Sequence, residues 1–266
     1  HMGAIRRPNS GPVPDAPSLR PSGIWGPSDR AMLPPDYLET MLPPTAPMTD
    51  SDIADVIAGF ARSAANAKAL GFDGIAIHGA HGYLLDSFMW HETNRRDETG
   101  RSRFAAEVVR AIRSEVGPDL PIIYRFSQWK LQDYDARLAD TPEALERTLA
   151  PLVDAGVDLL EASTRVYDQP AFDDSDLTLA GWVKKLTGLP TMAVGGVGLT
   201  KDLQASFIGG ADAIDNLRGV ADRIDQEEFD LIAVGRSLLV DPQWAIKARE
   251  GAPFEPFGPE ALATLS

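Results

Sequence analysis

Short apolar runs alternate with amphipathic helical segments along most of the chain, and this alternation limits the fold more than any other feature. The apolar runs, interpreted as strands, cover residues 74–77, 122–126, 159–162, 191–194 and 231–234. One helical pattern runs from Thr49 to Gly71, and the others cover residues 102–115, 142–155, 177–186, 201–208 and 242–248. Because parallel strands need crossover connections, this alternation predicts a parallel sheet covered by helices.

Two architectures contain such a sheet, the doubly wound sheet and the (β/α)₈ barrel. The doubly wound sheet predicts a G-x-G-x-x-G turn after its first strand, and none follows residues 74–77. Glycines instead follow the last two strands, at Gly195, Gly196 and Gly235, and Arg236 comes directly after Gly235. Paired phosphate-binding turns at these positions are typical of the TIM barrel. The sequence therefore favours an α/β fold of TIM (β/α)₈ type.

The sequence supplies five strand–helix units, whereas such a barrel closes with eight. We therefore expect that three units belong on the N-terminal side of these five, or that a partner chain or a second copy completes the sheet. The sequence predicts three segments: a Pro/Gly-rich loop over residues 1–48, a partial (β/α)₈ barrel over residues 49–258, and a tail over residues 259–266.

Composition excludes several classes of function. The net charge of −14 over 266 residues argues against binding to nucleic acid or to an anionic membrane surface. The chain has no cysteine, so it has neither disulfides nor a thiolate nucleophile. No apolar run approaches the roughly 18 residues of a membrane span. These features predict a soluble protein of the cytoplasm.

Two imidazoles and a phenol lie close together after the first strand, at His78, His81 and Tyr83. The two histidines could donate hydrogen bonds to one substrate oxygen, or they could bind a metal with His91 or Asp86. The metal hypothesis is the weaker one, and we predict no metal. Alternatively, one histidine is structural and only the other functions.

Arg125 lies inside an apolar strand, where a buried charge needs a partner. A bound anion or a polarised ring could supply that partner, and an ion pair with Glu161 is the structural alternative. The charged run at residues 94–97 predicts a solvated turn.

The residues His78-Gly79-Ala80-His81-Gly82-Tyr83-Leu84, followed by Thr93-Asn94-Arg95-Arg96, resemble a motif of the Old Yellow Enzyme family of FMN-dependent ene-reductases. Three further motifs fit the same family in the same order, at residues 125–127, 195–198 and 234–239. The resemblance implies a (β/α)₈ barrel of which this chain carries β4 to β8. It also implies FMN as cofactor and NADH or NADPH as reductant, with hydride passing from the flavin to an activated alkene.

The resemblance also implies a role for each site residue. His78 and His81 would bind the carbonyl or nitro oxygen of the substrate, and Tyr83 would protonate the α-carbon. Arg125 would lie beside the flavin ring. Four residues would hold the flavin phosphate: Gly195, Gly196, Gly235 and Arg236.

Two alternatives to an active ene-reductase stay open. The chain could be a catalytically silent barrel fragment or subunit that needs a partner chain, because the family's first three strands have no counterpart in it. It could also be another phosphate-binding TIM-barrel enzyme, such as an aldolase. That alternative is weaker because no lysine ends a strand: Lys130 follows its strand by several residues, and Lys184 and Lys185 fall on a helix.

Overall fold

A computed structural model describes residues 18–31, 35–96 and 101–264 of the chain. The chain divides into two compact units, His1–Leu160 and Glu161–Ser266. The strands are β1 Ile75–His78, β2 Ile122–Ser127, β3 Leu159–Ser163, β4 Thr191–Val194 and β5 Leu231–Ala233. The helices are α1 Pro35–Met41, α2 Asp50–Ala69, α3 Leu84–Met89, α4 Arg103–Val116, α5 Pro142–Asp154, α6 Leu179–Thr187, α7 Leu203–Gly209, α8 Leu217–Asp225, α9 Arg236–Val240 and α10 Trp244–Glu250, and a 3₁₀ helix covers Pro259–Thr264.

The strands form one sheet in the order β1-β2-β3-β4-β5. Pairing is parallel between β1 and β2 and again between β4 and β5. A doubly wound sheet reverses its strand order at a switch point, whereas a β/α barrel adds each strand beside the one before it. The consecutive order confirms the predicted α/β class and its five β/α units.

Local sequence signals explain where the main helices begin. Thr49 and Asp52 form a reciprocal capping box at the start of α2. Thr141 caps α5, whose first residue is a proline with its φ angle already fixed for a helix, and Thr178 caps α6. Helix α4 contributes a continuous buried face, formed by Phe104, Ala105, Ala106, Val108, Val109, Ile112 and Val116.

The strand and long-helix predictions agree with the structure to within two residues at most ends. Four short helices were not predicted: α1, α3, α8 and α9. Helix α3 illustrates the reason, because all six of its residues are buried and no polar face exists to reveal a helical period. The segment after Tyr83 is therefore a buried helix that the sequence pattern does not indicate.

The predicted N-terminal loop contains fixed points. The Arg20 side chain is buried and donates to the carbonyl oxygens of Met41 (2.8 Å) and Pro43 (3.0 Å). The Arg20 carbonyl accepts a hydrogen bond from the Met48 amide. Residues 1–17 and 32–34 of this segment lie outside the described residues. Among the described helices, none is long and apolar enough to cross a membrane.

Candidate active site

The three predicted catalytic residues lie together in the first unit. His78 is the last residue of β1, and its strand partner on β2 is Arg125. The His78 ring centroid lies 5.1 Å from that of His81 and 5.3 Å from that of Tyr83. The three rings therefore form one cluster at the carboxyl end of β1.

A left-handed turn produces this cluster. His81 has φ of 62° and Gly82 has φ of 77°, so the chain reverses sharply between His78 and Tyr83. Histidine accepts positive φ only at a cost, so the surrounding contacts must hold it there. The positive φ of Gly82 favours glycine, and a Cβ there would lie 1.9 Å from Oε1 of Gln132, which would have to move.

The last residue of β2 and the loop that follows it supply those contacts. The His81 amide donates to Oγ of Ser127 at 2.9 Å, and the Leu131 amide donates to the His81 carbonyl. The His81 ring stacks on the Trp129 indole, with centroids 4.1 Å apart and planes 16° apart. These supporting residues come from 46 to 50 positions further along the chain, and their contacts with the turn at His81 were not predicted from the sequence.

Both imidazoles are neutral at physiological pH. Burial, with the nearby Arg125 guanidinium, lowers the pKa of His78 to about 4. The same two causes, with smaller contributions from His78 and Lys130, lower the pKa of His81 to about 2. A neutral imidazole carries one N–H donor, so each ring can offer one hydrogen bond to an oxygen placed in the cluster.

A buried ion pair lies beneath the cluster. Nζ of Lys130 is 2.8 Å from Oδ1 of Asp86, and both side chains are completely buried. Oδ2 of Asp86 accepts the Gly82 amide at 2.6 Å, and Nζ of Lys130 also donates to the Ser127 carbonyl at 3.0 Å. Burial lowers the pKa of Lys130 and raises the pKa of Asp86, while their mutual attraction opposes both shifts. The pair joins the turn after β1 to the loop after β2.

Two other polar features of this unit were considered in the sequence. They are His91, as a ligand in the weaker metal hypothesis, and residues 94–97, as a solvated turn. His91 is exposed and lies 2.9 Å from Glu92. Within the described ranges, no three acidic or histidine side chains are arranged to hold a metal ion. The predicted solvated turn at residues 94–97 is wrong for Asn94, which is buried and donates to the Phe88 carbonyl at 2.7 Å. Asp97 lies outside the described residues.

The second unit contains the predicted glycine turns. Gly195 and Gly196 follow β4 with φ of 141° and 69°. A Cβ on Gly195 would lie 2.5 Å from the Thr164 carbonyl oxygen. Asn216 buttresses this turn, because its side chain donates to the Gly196 carbonyl and accepts the Gly198 amide, each at 3.0 Å. Asn216 was not identified from the sequence.

Gly235 precedes α9 and has nothing within 4 Å of the position where a Cβ would lie. Because no neighbouring atom fills this space, a phosphate group could approach the backbone of Gly235 closely. Nη1 of Arg236 donates to Oγ of Ser206 at 2.6 Å and to the carbonyl oxygens of Lys201 and Asp202. Arg236 therefore ties the start of α7 to α9, and its predicted contact with phosphate stays a prediction, as does the role of Arg125.

These features define a class: an α/β protein of consecutive parallel β/α units, with a histidine–tyrosine cluster at one strand end and glycine turns after its last two strands. The family model described as "NADH:flavin oxidoreductase / NADH oxidase family" matches residues 14–255. The chain belongs to this family.

Three known proteins show how the similarity is distributed. NADH oxidase of Thermoanaerobacter brockii is 34% identical over 218 residues, which cover 77% of this chain and 30% of that protein. Cinnamate reductase of Clostridium sporogenes is 31% identical over 222 residues, covering 74% of this chain and 31% of its own length. A morphinone reductase structure in complex with tetrahydroNAD has a TM-score of 0.71 at 19% identity, and the match covers 98% of this chain and 67% of that chain.

The comparisons confirm the predicted family and the TIM-barrel fold class. They also indicate FMN as the cofactor and NADH or NADPH as its reductant. The chain spans only about a third of the length of the NADH oxidase and the cinnamate reductase that it matches. What those proteins act on is therefore stated of those proteins alone.

Proposed function

We propose that this chain provides the substrate-binding and protonation machinery of an FMN-dependent oxidoreductase that reduces an activated C=C bond, as in an enone, enal or nitroalkene. The observation that carries the proposal is the cluster of two neutral imidazoles and one phenol, with ring centroids 5.1 and 5.3 Å from that of His78. When bound, FMN reduced by NADH or NADPH supplies the hydride.

His78 and His81 would bind the carbonyl or nitro oxygen of the substrate. Each ring offers one N–H because burial lowers the pKa values of both well below neutrality. Two donors aimed at one oxygen stabilise the negative charge that develops there as the alkene is reduced. The stacked Trp129 ring and the hydrogen bond from the His81 amide to Ser127 hold that donor in place before substrate arrives.

Tyr83 would supply the proton to the carbon next to the activating group. A phenol has an ordinary pKa of about 10, so it carries its proton at neutral pH and can transfer it to a carbanion-like centre. Tyr83 lies two residues beyond His81, at the start of the buried helix α3. This rigid position keeps the phenol beside the donors.

The second unit would hold the cofactor's phosphate. Gly195 and Gly196 have backbone conformations that favour glycine, and open space surrounds the missing Cβ of Gly235. Residues Arg125 and Arg236 would add positive charge toward the flavin ring and the phosphate respectively. The three further strands of the family could come from the same polypeptide, from a partner chain or from a second copy.

Tyr83→Phe tests the proposal. Alkene reduction should slow about 10²- to 10⁴-fold, the usual contribution of a positioned general acid. Reduction of the flavin by NADH or NADPH should stay nearly unchanged, because it needs no proton from this phenol. The two half-reactions are followed separately by stopped-flow absorbance of the flavin.

Tyr124→Phe is the matched control, since the Tyr124 hydroxyl is buried, has no hydrogen-bond partner among the described residues and faces Gly79. This variant should leave both half-reactions intact. Equal loss of both half-reactions in Tyr83→Phe would remove Tyr83 as proton donor. A colourless protein that takes up no FMN, alone or with a chain supplying the missing strands, would reject the whole proposal.

A further inference from the structure

A cavity of about 600 Å³ lies between α4 and α5 in the first unit, apart from the histidine–tyrosine cluster. Four arginines line it, and its apolar walls come from Ala106, Leu138, Ala144 and Pro151. The arginines are Arg101, Arg103, Arg110 and Arg147. The described lining contains no aspartate or glutamate, although the whole chain carries a net charge of −14.

The arginine charges are only partly compensated by protein groups. Arg103 pairs with Glu107 at 2.9 Å, whereas neither Arg110 nor Arg147 forms an ion pair within the described ranges. The pKa of Glu143 is lowered mainly by hydrogen bonds to its own backbone and to Thr141, and Arg147 is the smallest cause. Arg147 therefore forms no ion pair among the described residues, and its attraction to Glu143 is a minor cause of that shift.

Arg101 provides an independent observation. Its Nε is buried and has no hydrogen-bond partner in the described part of the chain. A buried guanidinium N–H without an acceptor is costly, so a group that accepts hydrogen bonds from it would be stabilising. Ser102 does not cap the N-terminus of the 14-residue helix α4, because its hydroxyl donates to the Thr148 carbonyl instead. The first amides of α4 therefore add to the positive potential at the cavity.

We propose that this cavity binds a phosphate group of a small phosphorylated molecule. Arginine matches phosphate because its planar guanidinium donates two parallel hydrogen bonds and stays charged at all relevant pH values. The cavity volume falls within the usual range for small-molecule sites, about 300–1,000 Å³. The phosphate could belong to the 2′-position of a nicotinamide nucleotide or to a free phosphate compound, and the chemistry of recognition is the same.

The test is isothermal titration of the protein, at low ionic strength and with saturating FMN, with three probes: 2′,5′-ADP, 5′-AMP and inorganic pyrophosphate. Wild-type protein should bind 2′,5′-ADP or pyrophosphate with Kd below about 1 mM. Tighter binding of 2′,5′-ADP than of 5′-AMP and pyrophosphate assigns the cavity to the nucleotide 2′-phosphate. Equal binding of 2′,5′-ADP and pyrophosphate assigns it to free phosphoryl compounds.

The variant Arg110→Gln/Arg147→Gln removes two exposed charges from the cavity and should raise the probe Kd at least about tenfold. Arg62→Gln/Arg218→Gln is the matched control, because it removes the same charge from exposed positions elsewhere. Retained binding in the control supports the site. Equal weakening in both variants would show unspecific attraction, and no binding to wild type would show no site. Either result overturns the proposal without affecting the proposed alkene reduction, whose test does not involve these arginines.

Discussion

The backbone of His81 lies in the left-handed region, with φ of 62°. Glycine adopts this conformation readily, and most other residues adopt it rarely. A left-handed non-glycine residue costs on the order of 1–2 kcal/mol, most for branched side chains and least for asparagine or aspartate. The cost is offset by the stack on Trp129 and the hydrogen bond to Ser127. The strained turn therefore coincides with a proposed donor, which is where strain is expected to be tolerated.

This conformation predicts different outcomes for two substitutions at position 81. His81→Asn should keep alkene reduction within about tenfold, because asparagine tolerates positive φ and offers an N–H donor. His81→Val should destabilise the protein by about 1–2 kcal/mol and should also lose the donor. Urea unfolding and steady-state kinetics measure the two effects. Equal stability of the two variants would show that the backbone at this position is not strained.

At this scale the sequence predicted the cluster but not its support. His78, His81 and Tyr83 lie within six residues, so their clustering was visible in the linear order. Ser127, Trp129 and Gln132 reach the same turn only because β1 and β2 pair with His78 opposite Arg125. Register between strands is a tertiary property, and no local signal near these three residues specifies it.

The buried Asp86–Lys130 pair connects two elements, α3 and the loop after β2. Two charges lose their hydration on burial, so such a pair stabilises only when its remaining hydrogen-bonding groups are satisfied. Here Asp86 also accepts the Gly82 amide and Lys130 also donates to the Ser127 carbonyl. The pair thus fixes both sides of the turn that carries His81.

Breaking the Asp86–Lys130 pair should lower the free energy of unfolding. The losses caused by the two single substitutions should not be additive. Asp86→Asn or Lys130→Met alone should lower the free energy of unfolding by about 3–5 kcal/mol, because each leaves one buried charge unpaired. The double variant should lose clearly less than the sum of the two. Urea unfolding gives all three values, and Arg249→Gln, in an exposed pair with Glu250, should change little. Additive losses would mean that the two side chains do not interact.

The predicted helices are mainly those long enough to show a repeated apolar face, and the nine-residue α8 was missed although it is amphipathic. The long helices α2, α4 and α5 each present one buried and one exposed face, and their spans followed from the apolar spacing. Helix α3 is buried throughout and α9 has five residues, so neither shows a helical period. The sequence argued against Lys130 as a catalytic lysine because it follows its strand by several residues. In the structure its ammonium group is completely buried in the ion pair with Asp86.

For the whole molecule, alternation of strands and helices was enough to predict consecutive parallel β/α units. The glycine turns after β4 and β5 were also predicted, because glycines that directly follow an apolar strand can be located in the sequence. Asn216, which supports the first of these turns, was missed because it lies 20 residues from Gly196 in the chain. The cavity between α4 and α5 was missed for a similar reason, since Arg147 belongs to α5 and the other three arginines belong to α4 or to the segment before it.

Cofactor binding should stabilise the whole molecule, and Gly235 gives the sharpest way to test where the phosphate lies. Ligand that binds only the folded protein stabilises it by about 2.7 kcal/mol at a concentration 100-fold above Kd. FMN should therefore raise the unfolding temperature of the wild type, measured alongside quenching of flavin fluorescence. In Gly235→Ala the new methyl group enters open space, so the flavin-free protein should unfold at nearly the wild-type temperature. The FMN Kd should nevertheless rise at least about tenfold, since the methyl group occupies the proposed phosphate position.

Gly59→Ala is the matched control, because it adds the same methyl group on α2 with nothing closer than 3.9 Å. It should leave the FMN Kd unchanged and should not lower stability, because alanine is favoured over glycine within a helix. Unchanged FMN affinity in Gly235→Ala would place the phosphate away from the turn after β5. Loss of stability in the flavin-free Gly235→Ala protein would show instead that the fold itself needs glycine at this position. The glycine at position 235 would then no longer support a phosphate site after β5.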